Sequence, residues 1–318
     1  MNALEQLKKL TTVVADTGDF QSMEKYTPRD ATTNPSLIYQ AAQNPKYKHL
    51  IDDAVNYAKS SEFEDDRRMR ACIEKLSVNF GLEILKIVPG RVSTEVDARL
   101  SFRIYDTIWY AKSLMRMYEK EGVDRERILI KIAATWEGIK AAEILEKEGI
   151  KTNLTLLFSK IQAIACAEAG VRLISPFVGR ILDWHKMTKG VDHIPATEDP
   201  GVISVTEIYN YYKKFDYQTE IMGASFRNKE EIIELAGCDL LTISPALLQE
   251  LENSNIKINA KLSKERAAKS DAVKISLDEM NFRWLMNEDP MASMKLSEGI
   301  RNFSKDLRKL ELFVGRLF

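Results

Sequence analysis

One lysine of this chain lies in the middle of an apolar run. Lys131 is centred in residues 128–135, ILIKIAAT. Side chains alternate between the two faces of a strand, so Leu129, Lys131 and Ala133 share the inward face. An unpaired ammonium group there would cost several kcal/mol, whereas a neutral amine is the nucleophile that forms a Schiff base with a carbonyl compound. The run therefore indicates either a Schiff-base lysine or a structural lysine that pairs with a carboxylate or reaches solvent.

Polar residues also stand at the ends of other short apolar runs. Barrel enzymes build their active sites at the C-terminal ends of the strands, with residues from several strands. Seven of eight runs carry such a residue, and the set suits carbonyl and hydroxyl chemistry on a sugar. The candidates are Asp16, Thr32 with Asn34, Glu95, Lys131, Asn153 with Thr155, Ser175, and Ser225 followed by Arg227.

The eight runs alternate with longer amphipathic segments. The segments at 135–149 and 159–170 both end on a glycine, which suits a helix C-cap. Eight strands with helical crossovers predict an α/β fold, a single (β/α)8 TIM barrel. A doubly wound open sheet with a nucleotide site is the alternative, but no GxGxxG or P-loop spacing supports it. The strands are predicted at 12–17, 30–35, 91–96, 128–133, 153–158, 173–178, 221–226 and 240–245.

The chain is longer than a minimal barrel. We expect one barrel domain over residues 1–318 with extra N- and C-terminal helices, including an insertion at about 36–80 and an extension at about 249–318. The charged run EFEDDRRMR at 62–70 is typical of a solvated helix face. A turn is predicted at 289–290, before a helical tail whose apolar stripe covers the barrel or meets a second subunit.

Composition argues against several classes of partner. The 318 residues include 46 basic and 47 acidic side chains, so no global charge recruits nucleic acid or a membrane surface. Cys72, Cys166 and Cys238 are too widely spaced for a disulfide framework or a thiolate metal site. The three histidines lack metal-ligand spacing, so no metal is expected. Neither a signal peptide nor a membrane span is evident, and we expect a cytoplasmic protein.

Six longer motifs follow one another along the chain. They are DATTNPSL (30–37), VSTEVDARLS (92–101), ILIKIAATWEGI (128–139), NLTLLFS (153–159), SPFVGRILDW (175–184) and MGASFRN (222–228). In this order they resemble the transaldolase family, and the resemblance extends over nearly the whole chain. It implies a (β/α)8 barrel that needs no metal or organic cofactor. A lysine Schiff base would move a dihydroxyacetone unit between sugar phosphates of the pentose phosphate pathway, in a homodimer.

The resemblance implies four catalytic residues. Lys131 would attack the C2 ketone of fructose 6-phosphate or sedoheptulose 7-phosphate, and Asp16 would be the base at the C4 hydroxyl. Glu95 and Thr155 resemble the pair that holds a water molecule and moves protons while the carbinolamine forms and dehydrates. In an unrelated sequence, Asp16 would be read as a turn-capping residue, and Glu95 with Thr155 as buried hydrogen-bonding groups.

Further motif residues match contacts to the dihydroxyacetone unit. Asn34, Asn153 and Ser175 resemble the residues that hydrogen-bond its hydroxyls, and Thr32 resembles a supporting residue near the lysine. Without the resemblance, Asn34 would be read as a turn residue and Ser175 as a strand terminator, since each precedes a proline.

The phosphate group requires fixed positive donors. Arg180 and Arg227, with the Ser225 hydroxyl, resemble the family's phosphate clamp, although any single arginine is more often a surface residue. Phe177 resembles an aromatic wall of the site. Because a phenyl ring cannot hold water through a hydroxyl group, we expect the enzyme to retain the enamine for transfer and to release little free dihydroxyacetone.

Other functions remain open from the sequence. A related Schiff-base aldolase of the fructose 6-phosphate aldolase type would use the same lysine. A pyridoxal-phosphate enzyme also binds its cofactor to a lysine, and a visible absorbance band would identify it. A non-catalytic sugar-phosphate-binding barrel is the third alternative, and intact Lys131, Asp16 and Glu95 argue against it.

Overall fold

The barrel predicted from the eight apolar runs is present. The computed structural model of the chain describes residues 1–60 and 65–318. Eight parallel strands form a closed barrel in chain order, and the last strand pairs with the first, which excludes the open sheet. The strands are β1 (Thr12–Asp16), β2 (Asp30–Thr32), β3 (Val92–Glu95), β4 (Ile128–Ala133), β5 (Thr152–Leu157), β6 (Leu173–Pro176), β7 (Glu220–Gly223) and β8 (Leu240–Ile243).

Alternation along the strands separates two apolar surfaces. The outward residues join the helices in a large core, whereas Val14, Leu129, Leu173, Met222 and Leu240 form a separate cluster inside the barrel. The β4 member of this inner cluster lies two residues before the buried lysine and on the same face of the strand. The prediction that the lysine points into the barrel is therefore confirmed.

Helices surround the barrel and follow its strands. Two predicted glycine stops are confirmed, because Gly149 and Gly170 follow their helices with φ of +80° and +69°, a left-handed conformation that glycine adopts without strain. The helices of the described residues are α1 (Ala3–Leu7), α2 (Phe20–Tyr26), α3 (Pro35–Ala42), α4 (Lys48–Ser60), α5 (Asp65–Ile87), α6 (Ile104–Lys120), α7 (Trp136–Lys147), α8 (Lys160–Glu168), α9 (Gly179–Lys189), α10 (Pro200–Lys214), α11 (Lys229–Glu234), α12 (Pro245–Glu252), α13 (Lys264–Ala268), α14 (Glu279–Glu288) and α15 (Pro290–Gly315).

The expected insertion and extension are both helical. Helices α3 to α5 fill the first and α12 to α15 the second, although α12 begins before residue 249. The predicted turn is the start of α15, where the Asp289 side chain accepts a hydrogen bond from the backbone N–H of Ala292 at 2.9 Å. The charged run at 62–70 lies partly outside the described residues. We propose that barrel and extra helices form one domain. Buried residues of α5, α14 and α15 belong to the core around the barrel, and α5 and α15 also contribute to a second buried cluster with α3 and α4.

The longest helix crosses the open end of the barrel. Helix α15 packs against α3, β5 and α9, three elements on different sides of the strand ends. Tertiary contacts, more than helix propensity, stabilise such an amphipathic segment. The predicted extension thus lies where it can contribute to a site at the C-terminal ends of the strands.

The described residues give two further findings on chemistry and environment. No helix among them is both long enough and apolar enough for a membrane crossing. Cys72, Cys166 and Cys238 are buried and free, and burial raises the pKa of Cys72 and of Cys238 to about 12. These thiols are therefore neutral and poorly reactive.

Candidate active site

A cavity opens at the C-terminal ends of the strands, where barrel enzymes carry out their chemistry. The cavity is small, and the roughly 400 Å³ of space within it that protein atoms do not fill includes open solvent. Three of the twelve predicted site residues do not line it but contact residues that do: the Glu95 carboxylate, the buried Asn153 and the partly exposed Arg227. The other nine line the cavity: Asp16, Thr32, Asn34, Lys131, Thr155, Ser175, Phe177, Arg180 and Ser225.

The buried lysine is paired with a carboxylate. Register between β3 and β4 sets Glu95 beside Lys131, with Nζ 3.0 Å from Oε2, and the lysine also donates to the backbone carbonyl of Thr33 at 3.3 Å. Lys131 is only 5% exposed. Burial raises the pKa of Glu95, while the charge of Lys131 opposes that shift. The interpretation of Lys131 as a lysine paired with a carboxylate is therefore correct. The same amine also lines the cavity, as a Schiff-base lysine would.

A second carboxylate faces the lysine from the first strand. The hydroxyl of Thr32 donates to Asp16 Oδ1 at 3.1 Å and lies 3.2 Å from the Thr242 hydroxyl. Burial raises the pKa of Asp16, and the charge of Lys131 is the strongest opposing influence. A raised pKa brings a carboxyl group closer to the condition in which it can both accept and donate a proton.

Two buried oxygens at the site lack ordinary hydrogen bonds. Thr155 is fully buried, and its Oγ1 has no hydrogen-bond partner among the described residues. Glu95 Oε2 lies close to the Lys131 amine, but the contact lacks hydrogen-bond geometry. Buried polar atoms without partners are uncommon in folded proteins. These two oxygens can therefore bind a small polar group, such as the water molecule expected from the resemblance.

An amide and two hydroxyls connect three strands behind the cavity. Asn153 accepts from the Ser175 hydroxyl at 2.6 Å and donates to the Ser93 hydroxyl at 3.0 Å. Asn153 is fully buried, so it positions Ser175, and its direct contact with a substrate stays a prediction. Ser93 was not among the predicted residues. The period-two pattern of β3 could have identified it, since it precedes Glu95 by two positions on the same face.

Asn34 combines a structural role with a place in the cavity wall. Its side-chain oxygen accepts from the backbone N–H of Leu37 at 3.0 Å and caps α3, whose first residue is Pro35. The turn interpretation is therefore wrong in detail, since Asn34 has an extended backbone and is the N-cap residue of a helix. Because the oxygen is used by the cap, the side-chain NH2 group remains as the donor for a ligand.

Arg180 lies beside two aromatic rings. Its guanidinium carbon is 4.8 Å from the ring centroid of Phe177 and 5.8 Å from that of Phe303. Among the described residues it forms no ion pair. Burial lowers the pKa of Arg180, and the positive charge of Arg227 adds to this shift. Two guanidinium groups that repel each other form a favourable site for an anion such as phosphate.

Arg227 is held by an aspartate that sequence reasoning did not identify. Its Nε and Nη2 donate to Asp183, at 2.7 Å for the shortest contact, while Nη1 donates to the Ser225 hydroxyl at 3.4 Å. Ser225 has a φ of +63°, a left-handed conformation uncommon for serine, which indicates a constrained turn. Asp183 lies within the quoted motif at 175–184, but its charge alone gave no reason to connect it with Arg227.

Four lining residues lie outside the predicted set: Met222, Ala224, Thr242 and Phe303. Sequence reasoning left the eighth strand without a polar group, but Thr242 of β8 lines the cavity. Its position two residues after Leu240, on the inward face, was a usable signal. Phe303 of α15 also lines the cavity, and no local pattern distinguishes it from other apolar residues of that helix.

A larger cleft lies away from the strand ends. It borders α4, α5 and α6. Arg70 is among its lining residues, and the guanidinium carbon of Arg70 lies 4.1 Å from the ring centroid of Trp109. No strand residue lines it, so we place the chemistry in the smaller cavity. In the described parts of the chain, no group of three histidine, cysteine, aspartate or glutamate side chains is suited to a metal ion.

Comparison with known proteins agrees with this geometry. Residues 13–313 match the family model described as transaldolase/fructose-6-phosphate aldolase. A transaldolase of Thermosynechococcus vestitus is 60% identical over 99% of this chain and 82% of its own length. A transaldolase of Shewanella sp. is also 60% identical, over 98% of both chains. A probable transaldolase of Dictyostelium discoideum is 57% identical over 99% of both.

These matches cover nearly the whole barrel and every strand that supplies the cavity. They establish the type of reaction and the class of substrate, sugar phosphates. The chain belongs to the transaldolase/fructose-6-phosphate aldolase family, and it is an enzyme with transaldolase activity, the transfer of an aldehyde or ketone residue.

Proposed function

We propose that Lys131 carries the transferred unit as a Schiff base. The donor is sedoheptulose 7-phosphate or fructose 6-phosphate, and the acceptor is glyceraldehyde 3-phosphate or erythrose 4-phosphate, as in the non-oxidative pentose phosphate pathway. The supporting observation is the buried amine of Lys131, which lines the cavity at 3.0 Å from Glu95. Transfer of its proton to that carboxylate gives the nucleophile without exposing it to solvent.

Imine formation uses groups on three adjacent strands. The amine of Lys131 adds to the C2 carbonyl, and the resulting carbinolamine loses its hydroxyl as water. Glu95 and Thr155 provide the proton transfers, because Glu95 Oε2 and Thr155 Oγ1 are buried without a hydrogen-bond partner among the described residues. The product is an iminium that withdraws electrons from the C3–C4 bond.

Cleavage and transfer use the carboxylate opposite the lysine. Asp16 takes the proton of the C4 hydroxyl, the C3–C4 bond breaks, and the aldose phosphate leaves while the enamine stays on Lys131. An acceptor aldehyde then forms a new bond to C3 and regains the proton from Asp16. Hydrolysis of the new imine returns the free amine. The raised pKa of Asp16 supports this role, because the group must both take and give a proton.

Substrate orientation is shared between the two ends of the cavity. Asn34 and Ser175 are the proposed contacts to the dihydroxyacetone hydroxyls, with Asn153 behind Ser175 and Thr32 holding Asp16. At the other end, the phosphate is bound by Arg180, Arg227 and the Ser225 hydroxyl, beside the Phe177 wall.

We also propose an oligomeric state and a cellular location for the protein. Phe102, Tyr105 and Trp109 are exposed aromatic residues at or near the start of α6, and such surfaces are often buried between subunits, which supports a homodimer. Sedimentation of the protein with Trp109→Glu would test this interface. Three free thiols support a reducing compartment such as the cytoplasm.

The function is tested by following both products. Fructose 6-phosphate and erythrose 4-phosphate are mixed with the enzyme, and sedoheptulose 7-phosphate and free dihydroxyacetone are measured by mass spectrometry. We expect sedoheptulose 7-phosphate to dominate and Lys131→Met to form neither product. Dihydroxyacetone as the main product would indicate a fructose 6-phosphate aldolase, and full activity of Lys131→Met would refute the proposed nucleophile.

A further inference from the structure

An aromatic residue of the C-terminal extension lies next to the reactive amine. Phe303 is 4% exposed and lines the cavity. Its ring centroid is 5.8 Å from the Lys131 amine and 5.8 Å from the Arg180 guanidinium. One ring thus adjoins two of the three positive groups of the site, although it comes from a helix outside the βα repeats.

The helix is held on both sides of this ring. Gly299, one turn before Phe303, packs on Leu156 so closely that an added Cβ would lie 2.6 Å from a leucine methyl group. On the other side, the Ser36 hydroxyl donates to Asp306, three residues after Phe303. Residues three or four apart share one face of a helix.

Both anchors adjoin predicted site residues. Leu156 follows Thr155 in an irregular part of β5 and has a φ of +54°, while Ser36 lies two residues after Asn34. The extension therefore crosses the barrel mouth from β5 to α3, and this crossing fixes Phe303 above the lysine.

We propose that Phe303 closes the site over the Schiff base, stabilising the iminium cation and excluding water from the enamine. This inference rests on the proposed Schiff-base function. A cation within about 6 Å of a ring centroid is attracted to the face of the ring. A closed, apolar wall also protects a reactive intermediate from hydrolysis.

The protected step is release of the three-carbon unit. Release requires the enamine to take a proton at C3, after which water adds to the iminium carbon. The carbon–nitrogen bond then breaks, and the products are free dihydroxyacetone and the amine of Lys131. Transfer to an acceptor aldehyde competes with that C3 protonation. A ring that limits entry of water and proton donors therefore raises the fraction of units that are transferred.

The two effects of the ring are separated by two substitutions. Phe303→Leu retains an apolar side chain but removes the aromatic face, so we expect imine formation to slow by about 2- to 5-fold with little extra release. Phe303→Ala opens the wall, and we expect the ratio of released to transferred dihydroxyacetone to rise several-fold. Phe313→Leu is the matched control, since this aromatic residue of the same helix packs on Tyr39 and lies outside the cavity.

Each measurement has an outcome that overturns the inference. The ratio of released to transferred dihydroxyacetone is measured with fructose 6-phosphate and limiting erythrose 4-phosphate. The rate of imine formation is measured by rapid-quench borohydride trapping on Lys131. An unchanged partition in Phe303→Ala, or an equal change in Phe313→Leu, would overturn the closing role. A change in Phe303→Ala that is confined to KM would mean that Phe303 acts only by positioning Arg180, and this would also overturn the closing role. Loss of trapping in the wild-type enzyme would instead contradict the proposed function itself.

Discussion

Removing Arg180 tests how the enzyme distinguishes phosphorylated from free sugars. Arg180 has no ion-pair partner among the described residues, so phosphate need not displace a carboxylate to reach it. A charge-assisted hydrogen bond contributes about 1.5 to 3 kcal/mol, which corresponds to about 10- to 150-fold in kcat/KM. We therefore expect Arg180→Ala to lose about that factor with fructose 6-phosphate as the donor.

Arg227 should contribute less than Arg180. Its side chain and that of Asp183 are 39% and 46% exposed, and they are already paired. Exposed ion pairs contribute about 0.2 to 1 kcal/mol. Because phosphate must replace Asp183 as the partner of Arg227, the gain in kcat/KM from this contact is smaller by about 1.4- to 5-fold. The order of the losses, Arg180→Ala above Arg227→Ala, follows from these contacts.

The assay compares kcat/KM for fructose 6-phosphate and for fructose at high concentration, with Arg180→Lys as the control that retains charge but loses the guanidinium fork. Competitive inhibition by inorganic phosphate gives an independent measure of the clamp. Equal losses for both sugars would refute the phosphate contact. A larger loss in Arg227→Ala would refute the proposed difference between the two arginines.

Three more predictions follow from the site and its surroundings. Asp16→Ala should still form a trappable imine but cleave about 100- to 10,000-fold more slowly, and a normal cleavage rate would remove its role as base. Phe177→Tyr should increase release of dihydroxyacetone relative to transfer, whereas an unchanged ratio would show that the missing hydroxyl is irrelevant. Burial raises the pKa of Glu231, beside Asp199, from 4.5 to about 7, so the folded state binds a proton there that the unfolded state has lost. The free energy of unfolding should therefore fall as pH rises through that interval. Glu231→Gln should unfold at a higher temperature than wild type at about pH 8.5, with the gain lost below about pH 4.5; a gain independent of pH would contradict this assignment.

Local patterns of the sequence were enough to predict the barrel. Strand β4 has the bounds predicted from the run ILIKIA. The glycines at 149 and 170 lie just after the ends of α7 and α8, as predicted. Several predicted strands extend one to three residues too far, because polar residues such as Asn34 at their ends belong to helix caps. The capping hydrogen bond needs coordinates to be distinguished from continued strand pairing.

Residues on neighbouring strands were also predictable as a set. Alternation and the strand-end rule predict Asp16 and Lys131 at one cavity, with Glu95 nearby, without any knowledge of distances. The detailed roles needed the resemblance, because a buried lysine beside a glutamate is equally compatible with a structural ion pair. The contact of 3.0 Å between Lys131 Nζ and Glu95 Oε2 is compatible with both a structural ion pair and a catalytic pair.

Contacts made by residues distant in sequence could not be predicted. Phe303 reaches the cavity only because Gly299 permits close packing on Leu156, and this depends on the crossing of α15 over the barrel. Asp183 and Arg227 lie on different βα units, so their pairing depends on the tertiary fold. A single sequence contains no periodic signal for such pairs.

Covalent trapping tests the central role of Lys131 most directly. The enzyme is incubated with fructose 6-phosphate without an acceptor, reduced with borohydride, and digested for peptide mapping by mass spectrometry. We expect an adduct of the size of one dihydroxyacetone unit on Lys131, and none in Lys131→Met. An adduct on a different lysine, or no adduct on folded wild-type protein, would contradict the assignment of Lys131 as the residue that carries the transferred unit.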